Sequence, residues 1–247
     1  MRILKMAGSF EILSEPKDII QKISSAARTC YQSEKFASKE KNIKLVRNLL
    51  KRGHHAMLEF ADMSVQFNNI CRGFTHEMVR HRLCSYAQES TRYVDESDFK
   101  VVVPPHKHET ARIITLTLPN KEKITVSLRE WFELNEQAYR SLRDAKWKPE
   151  DARQVLPIAT KSQIVVKANV REWRHIFHMR CDKFAHWEIR GVMLQLLNKC
   201  KQEIPLIFDD FKFYVVTSTE PVEYYRDLQL QEISDCGIYA RNYGADL

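Results

Sequence analysis

The sequence predicts an α+β fold, a mixed sheet flanked by helices, and three observations predict it. Apolar residues recur at helical spacing in several long segments. Shorter segments alternate apolar with polar residues or carry β-branched runs. The two kinds are intermingled without the regular strand–helix alternation of a doubly wound sheet. With 247 residues the chain is long enough for one large core. It shows no internal repeat, low-complexity linker or composition break, so we expect a single domain over 1–247, with an extension of no assigned structure from about residue 215.

Taken in order, residues 1 to 13 read as a strand, and 17 to 31 and 39 to 52 as helices. The second helix carries Ile43, Val46, Leu49 and Leu50 on one stripe and is stopped by Gly53. Met63, Val65 and Phe67 alternate with Ser64 and Gln66, which predicts a half-buried strand. Phe74 to about Leu83 follows as a helix, and Val101 to Val103 as a short strand ended by Pro104 and Pro105. The run ITLTLPNKEKITVS is two β-branched stretches around a Pro-Asn-Lys turn, hence a hairpin. A long helix then reaches about Trp147, Pro149 suits the first turn of another, and Ser162 to Lys167 is a strand. Asn169 and Glu172 have capping-box spacing at the mouth of the next helix. Ala185 to Lys201 is a further helix, with Ile189, Met193, Leu196 and Leu197 on its stripe.

Composition narrows the class without choosing a function. A hydrophobic fraction of 44% and a charged fraction of 29% are those of an ordinary globular protein. No apolar run approaches the roughly 20 residues needed to cross a bilayer, and MRILKMAGSF lacks the features of a secretion signal, so a cytoplasmic protein with no membrane partner is expected. The six cysteines include no C-x-x-C pair and read as free thiols. His54, His55, His76 and His81 form no metal-binding motif, and no metal is expected. The formal charge of +7 favours an anionic partner.

The chemistry concentrates in RHRLCSYAQESTRY, Arg80 to Tyr93, expected at the end of a helix and in the extended segment after it. Arg80, Arg82 and Arg92 are permanently charged and form paired hydrogen bonds to phosphate, while Gln88 and Ser90 add directional bonds. The competing reading is a solvated basic surface. The apolar Val79, Leu83 and Tyr86 within the run argue that it packs on the body. Further along, Arg180 follows Ile176 and Phe177 on an apolar helical stripe, where a charge needs a reason; pairing with Asp182 or Glu188 is the structural alternative.

The RHR run followed eight residues after its second arginine by Ser90, then Arg92 and Tyr93, resembles the signature of flavin-dependent thymidylate synthases. GHHAMLEF from residue 53, ARQVLP from 152, NVREWRHIFHMRCD from 169 and AHWEIR from 185 accompany it in the family's order, over roughly residues 20 to 212. The resemblance implies that family's fold and a homotetramer with FAD between subunits. It implies FAD contacts from His54, Ala56, Arg80, His81, Arg82, Asn169, Arg171 and His175. The nucleotide, dUMP, is implied to be held by Glu77, Arg80, Gln88, Glu89, Ser90, Thr91, Arg92, Arg153 and Arg180, the last against the pyrimidine and catalytic.

The implied reaction is reductive methylation of dUMP to dTMP. Methylenetetrahydrofolate supplies the carbon and NADPH or NADH the reducing equivalents, passed on through the flavin, and tetrahydrofolate is released. Ser90 is then a binding residue, and Cys84, flanked by Arg82 and Ser85, a packing residue. Three departures from the family pattern stand out. Glu77 replaces a frequent Gln, Ala56 a frequent hydroxyl residue, and Gln88-Glu89 an acidic-then-variable pair. The alternatives are a related pyrimidine-nucleotide hydroxymethylase and, in a different class, a basic nucleic-acid-binding protein. No nucleic-acid-reading signature accompanies the arginines, and none is expected to bind.

Overall fold

A computed structural model describes residues 1–5, 8–14, 18–104, 113–215, 222–224 and 238–242. They form two compact units, each assembled from three stretches of chain: Met1–Ser9, Phe67–Met78 and Ala87–Ile164 in the first, Phe10–Gln66, Val79–Tyr86 and Val165–Leu247 in the second. Because every unit is stitched from separated segments, no composition break marks a boundary.

In the first unit β1 (Arg2–Lys5) runs parallel to β5 (Lys100–Val103). Phe99, Val101 and Val103 pack on Phe132 of α4 (Leu128–Asp144) to make its core. The expected hairpin is present as β6 (Ile113–Thr117) against β7 (Lys123–Ser127). Ser127 then opens α4 with a full capping box: its hydroxyl accepts from the Glu130 amide, and the Glu130 carboxylate accepts from the Ser127 amide at 2.6 Å. Pro149 sits at the start of the short α5 (Pro149–Ala152).

In the second unit α1 (Ile19–Thr29), α2 (Lys39–Lys51), α6 (Val170–Arg180) and α7 (Trp187–Glu203) supply the core. Ile189, Met193, Leu196 and Leu197 are all fully buried, as the stripe predicts. Trp173 is also fully buried, and its indole donates to the Met63 carbonyl at 2.9 Å. Gly53, at φ +69°, ends α2: its amide and that of His54 bond back to Leu50 and Leu49. The short α8 (Pro205–Phe208) leads into β9 (Phe211–Val215), which lies between β10 (Val222–Tyr224) and β11 (Ile238–Asn242).

A four-stranded sheet has the order β2 (Ser9–Ile12), β3 (Asp62–Cys71), β8 (Lys161–Asn169), β4 (Cys84–Gln88). The alternation in β3 is as expected, with Met63, Val65 and Phe67 buried.

Four expectations need correction. The first 13 residues are two strands in different sheets, because β1 finds its partner in β5 and β2 in the four-stranded sheet. The helix expected to reach Leu83 is α3 (Arg72–Met78) and ends five residues sooner. Val79 and Leu83 continue the apolar spacing but are 41% and 73% exposed, so no core holds them in helix. RHR therefore lies in the turn between α3 and β4. Finally α4 stops at Asp144 rather than near Trp147: Lys146 takes φ +67°, and the amides of Lys146 and Trp147 bond back to Arg143 and Leu142. That Schellman turn carries lysine in the left-handed position, so no glycine announced it. Pro105, Cys236 and most of the segment after 215 lie outside the described residues. No described helix is long and apolar enough to cross a membrane.

Candidate functional site

The expected site residues gather in two groups, each within one unit. In the second unit the centre is His81. Its neighbours Arg80 and Arg82 are exposed while His81 itself is buried, 6% exposed, so the turn between α3 and β4 points the histidine inward and both arginines outward. Arg180, at the end of α6, donates from Nε to His81 Nε2 at 3.0 Å. The Glu172 carboxylate, also on α6, lies 3.6 Å from His81 Nδ1. His175 meets the His81 ring edge-on at 5.7 Å between centroids. The Tyr86 hydroxyl donates to the His81 carbonyl at 2.6 Å and pins the turn. Burial first, then the charges of Arg180 and His175, lower the His81 pKa from 6.5 to about 4.

The start of α6 brings in the rest of this group. Asn169 caps the helix, its side chain accepting from the Glu172 amide at 2.8 Å. The short 3₁₀ turn His55–Phe60 packs against α6, with the Val170 amide bonded to the Ala61 carbonyl and Arg171 paired with Glu59 at 2.6 Å. His54 and Ala56, both exposed, open that turn. Nearby, a cleft of about 730 Å³ is lined by Arg47, Gly53, His55 and Arg174 among others. The His55 imidazole there is held below its usual pKa by burial and then by the Arg174 and Arg171 charges.

The ligand atoms of His81, Glu172 and His175 lie within 4.8 Å of one another, a spacing a metal ion would accept. Against a cation stand the bond that occupies His81 Nε2 and the charge of Arg180 beside it. We read the trio as a proton-orienting group rather than a metal centre.

In the first unit the second group surrounds Glu89 to Arg92. Gln88 donates to the Thr75 hydroxyl at 2.9 Å and the Ser162 hydroxyl at 3.3 Å, so its amide is fixed between α3 and β8. Glu89 pairs with Lys161 at 3.0 Å, and its carbonyl accepts from Arg72. The Ser90 hydroxyl accepts from the Arg92 amide, making a turn. Thr91 is buried and accepts from Arg153 Nη1 at 3.2 Å, while Arg92 reaches Glu150 at 3.3 Å. A cleft of about 320 Å³ is lined by Arg72, His76, Thr91 and Arg153, with Leu156 to Ile158 and Thr160 completing it. Arg72 is half-buried, and burial lowers its pKa against the opposing charges of Glu96 and Glu89. Two arginines in the lining give the cleft a positive character.

Sequence reasoning missed Arg72, Lys161 and Glu172. Arg72 follows the apolar end of a strand and gave only that signal, and Glu172 was read as a capping residue. His76, rather than the adjacent Glu77, lines the cleft; Glu77 lies on α3. Arg80 and Arg180, expected to hold nucleotide, are in the second unit with the residues expected to contact the cofactor.

Comparison with known proteins gives a consistent result. Residues 11–206 match the family described as thymidylate synthase complementing protein. Flavin-dependent thymidylate synthases from Mycobacterium marinum and Corynebacterium efficiens are each 34% identical over 196 residues, covering 77% of this chain and 78% of theirs. Among solved structures, a UMP/dUMP methylase, PolB, from Streptomyces cacaoi bound with 5-Br dUMP aligns with a TM-score of 0.64 at 20% identity. The alignment covers 85% of this chain and 96% of that one. That likeness establishes the fold.

Proposed function

The chain belongs to the thymidylate synthase complementing protein family, and we propose that it is a flavin-dependent thymidylate synthase, methylating dUMP to dTMP with 5,10-methylenetetrahydrofolate as carbon donor. FAD is its cofactor and NADPH or NADH the reductant. The working protein is a cytoplasmic homotetramer that releases tetrahydrofolate.

One observation carries the reading. Arg180 and His81, 99 positions apart in two different motif segments, are bonded at 3.0 Å, so the arginine proposed to act on the pyrimidine is held by the RHR turn. Uracil C5 is a poor nucleophile, and a thymidylate synthase without a cysteine nucleophile must polarise the ring instead. Burial pushes the Cys84 thiol up to about 11 and Cys200 to about 12, and holds Cys181 well above the usual thiol range, so these three thiols are protonated at neutral pH. The permanently charged Arg180 supplies the polarisation, favouring negative charge that develops around N3 and O2 of the ring.

The second-unit group suits a dinucleotide. Arg80, Arg82 and Arg171 offer exposed guanidinium groups for its diphosphate, His54 and Ala56 flank His55, which lines the 730 Å³ cleft, Asn169 caps α6, and His175 stands on that helix. When bound, the flavin supplies the reducing equivalents that complete the methyl group. In the first unit Arg153, Arg72 and Thr91 give the nucleotide phosphate cationic and hydroxyl partners, with Ser90 and Gln88 beside them. Expression in a thymidine-requiring bacterial host tests the proposal: growth without thymidine is expected from the wild type and not from Arg180→Ala. Failure of well-expressed wild type to restore growth rejects it.

A further inference from the structure

We propose that Glu172 is a positioning residue for Arg180, acting through His81. The inference rests on the proposed role of Arg180 and adds to it a residue that no motif assigned. A guanidinium has only N–H donors, so the 3.0 Å bond from Arg180 Nε makes His81 Nε2 the acceptor and leaves that nitrogen without a proton. His81 is therefore neutral above mildly acidic pH and carries its proton on Nδ1. Nδ1 is the nitrogen that faces Glu172, 3.6 Å from its carboxylate oxygen.

Burying a carboxylate is costly, and Glu172 is only 6% exposed. Its place is fixed from behind, because the Asn169 side chain holds the Glu172 amide in the first turn of α6. Facing the Nδ1 proton, the carboxylate selects the tautomer that presents a lone pair to Arg180. The other tautomer would set N–H against N–H and break the bond from Arg180 Nε. The chain of Glu172, His81 and Arg180 thus fixes the direction of the Arg180 fork before any ligand binds.

The test uses the full-length holoprotein with ¹⁵N-labelled histidine, the His81 signals being assigned by their loss in His81→Gln. The wild type is expected to show His81 protonated at Nδ1 and not at Nε2. Glu172→Leu is expected to mix the tautomers and to lower kcat, by up to about 100-fold, with little change in KM for dUMP, since Arg180 acts as ring charge develops. Glu172→Gln keeps an acceptor oxygen and is expected to restore the Nδ1 tautomer and most of kcat. An Nε2-protonated wild type overturns the proposal. So does Glu172→Leu with the wild-type tautomer and kcat, or Glu172→Gln, folded and flavin-loaded, with mixed tautomers and no recovery. The tautomer readout needs no turnover, so it judges Glu172 separately from the proposed function, which fails if the wild type makes no thymidylate.

Discussion

Acid should destabilise this protein through His81, and the size of the effect follows from its surroundings. His81 is buried against Glu172 and His175 of α6 and the Arg180 guanidinium, in a turn with Arg80 and Arg82 that Tyr86 of β4 holds through the His81 carbonyl. Its pKa falls from 6.5 to about 4 on folding. A depressed histidine binds fewer protons folded than unfolded, so its contribution is fully present above the unfolded pKa and is lost as pH drops from 6.5 toward 4. At 1.36 kcal/mol per unit the full loss is roughly 3 kcal/mol, of which about 2 kcal/mol is reached by pH 5. These are ceilings, because a protonated His81 gains attraction to Glu172. Urea unfolding from pH 7.5 to 5, at fixed protein and FAD concentration, gives the dependence for the wild type and for His81→Gln. The difference between the two slopes isolates this histidine. If His81→Gln loses stability with acid as steeply as the wild type, the reasoning is wrong.

Further outcomes are expected from single substitutions. Arg180→Ala should cut thymidylate synthesis by at least about 100-fold with the circular dichroism spectrum unchanged, as expected for removal of a group that stabilises developing charge; near-normal turnover rejects its role. Arg82→Ala should lower the flavin retained through gel filtration, read from the ratio of visible to ultraviolet absorbance, and undiminished flavin would falsify the assignment. Asn169→Ala should cost about 1 kcal/mol through the lost cap as well as cofactor. Asn169→Ser should regain the stability, and if it also regains full flavin occupancy, Asn169 is only a cap. Cys84→Ala should leave turnover intact, because a thiol raised to about 11 is no nucleophile at neutral pH; a large loss would reopen covalent catalysis.

Local rules made much of this fold legible. The Met63, Val65 and Phe67 alternation, the α7 stripe, Gly53 at the end of α2 and Asn169 at the start of α6 each appear where expected, because each depends on neighbours within a few residues. Errors arose where distant partners decide. The α3 helix gives way at Val79 to a turn that leads into β4, whose place beside β8 depends on residues about 80 positions away. The motif resemblance marked Arg80 to Arg92 and Arg180. It did not mark Glu172, because capping spacing explains a glutamate there without asking where its carboxylate goes. Arg72 was missed for a related reason: only the folded first unit brings it to the same cleft as Thr91 and Arg153.

The most direct test of the central claim is chromatographic identification of the nucleotide formed from dUMP by purified protein with FAD and methylenetetrahydrofolate, with and without reduced nicotinamide. The account predicts dTMP only when the nicotinamide is present. A hydroxymethylated nucleotide, or no product from flavin-loaded protein, would contradict it.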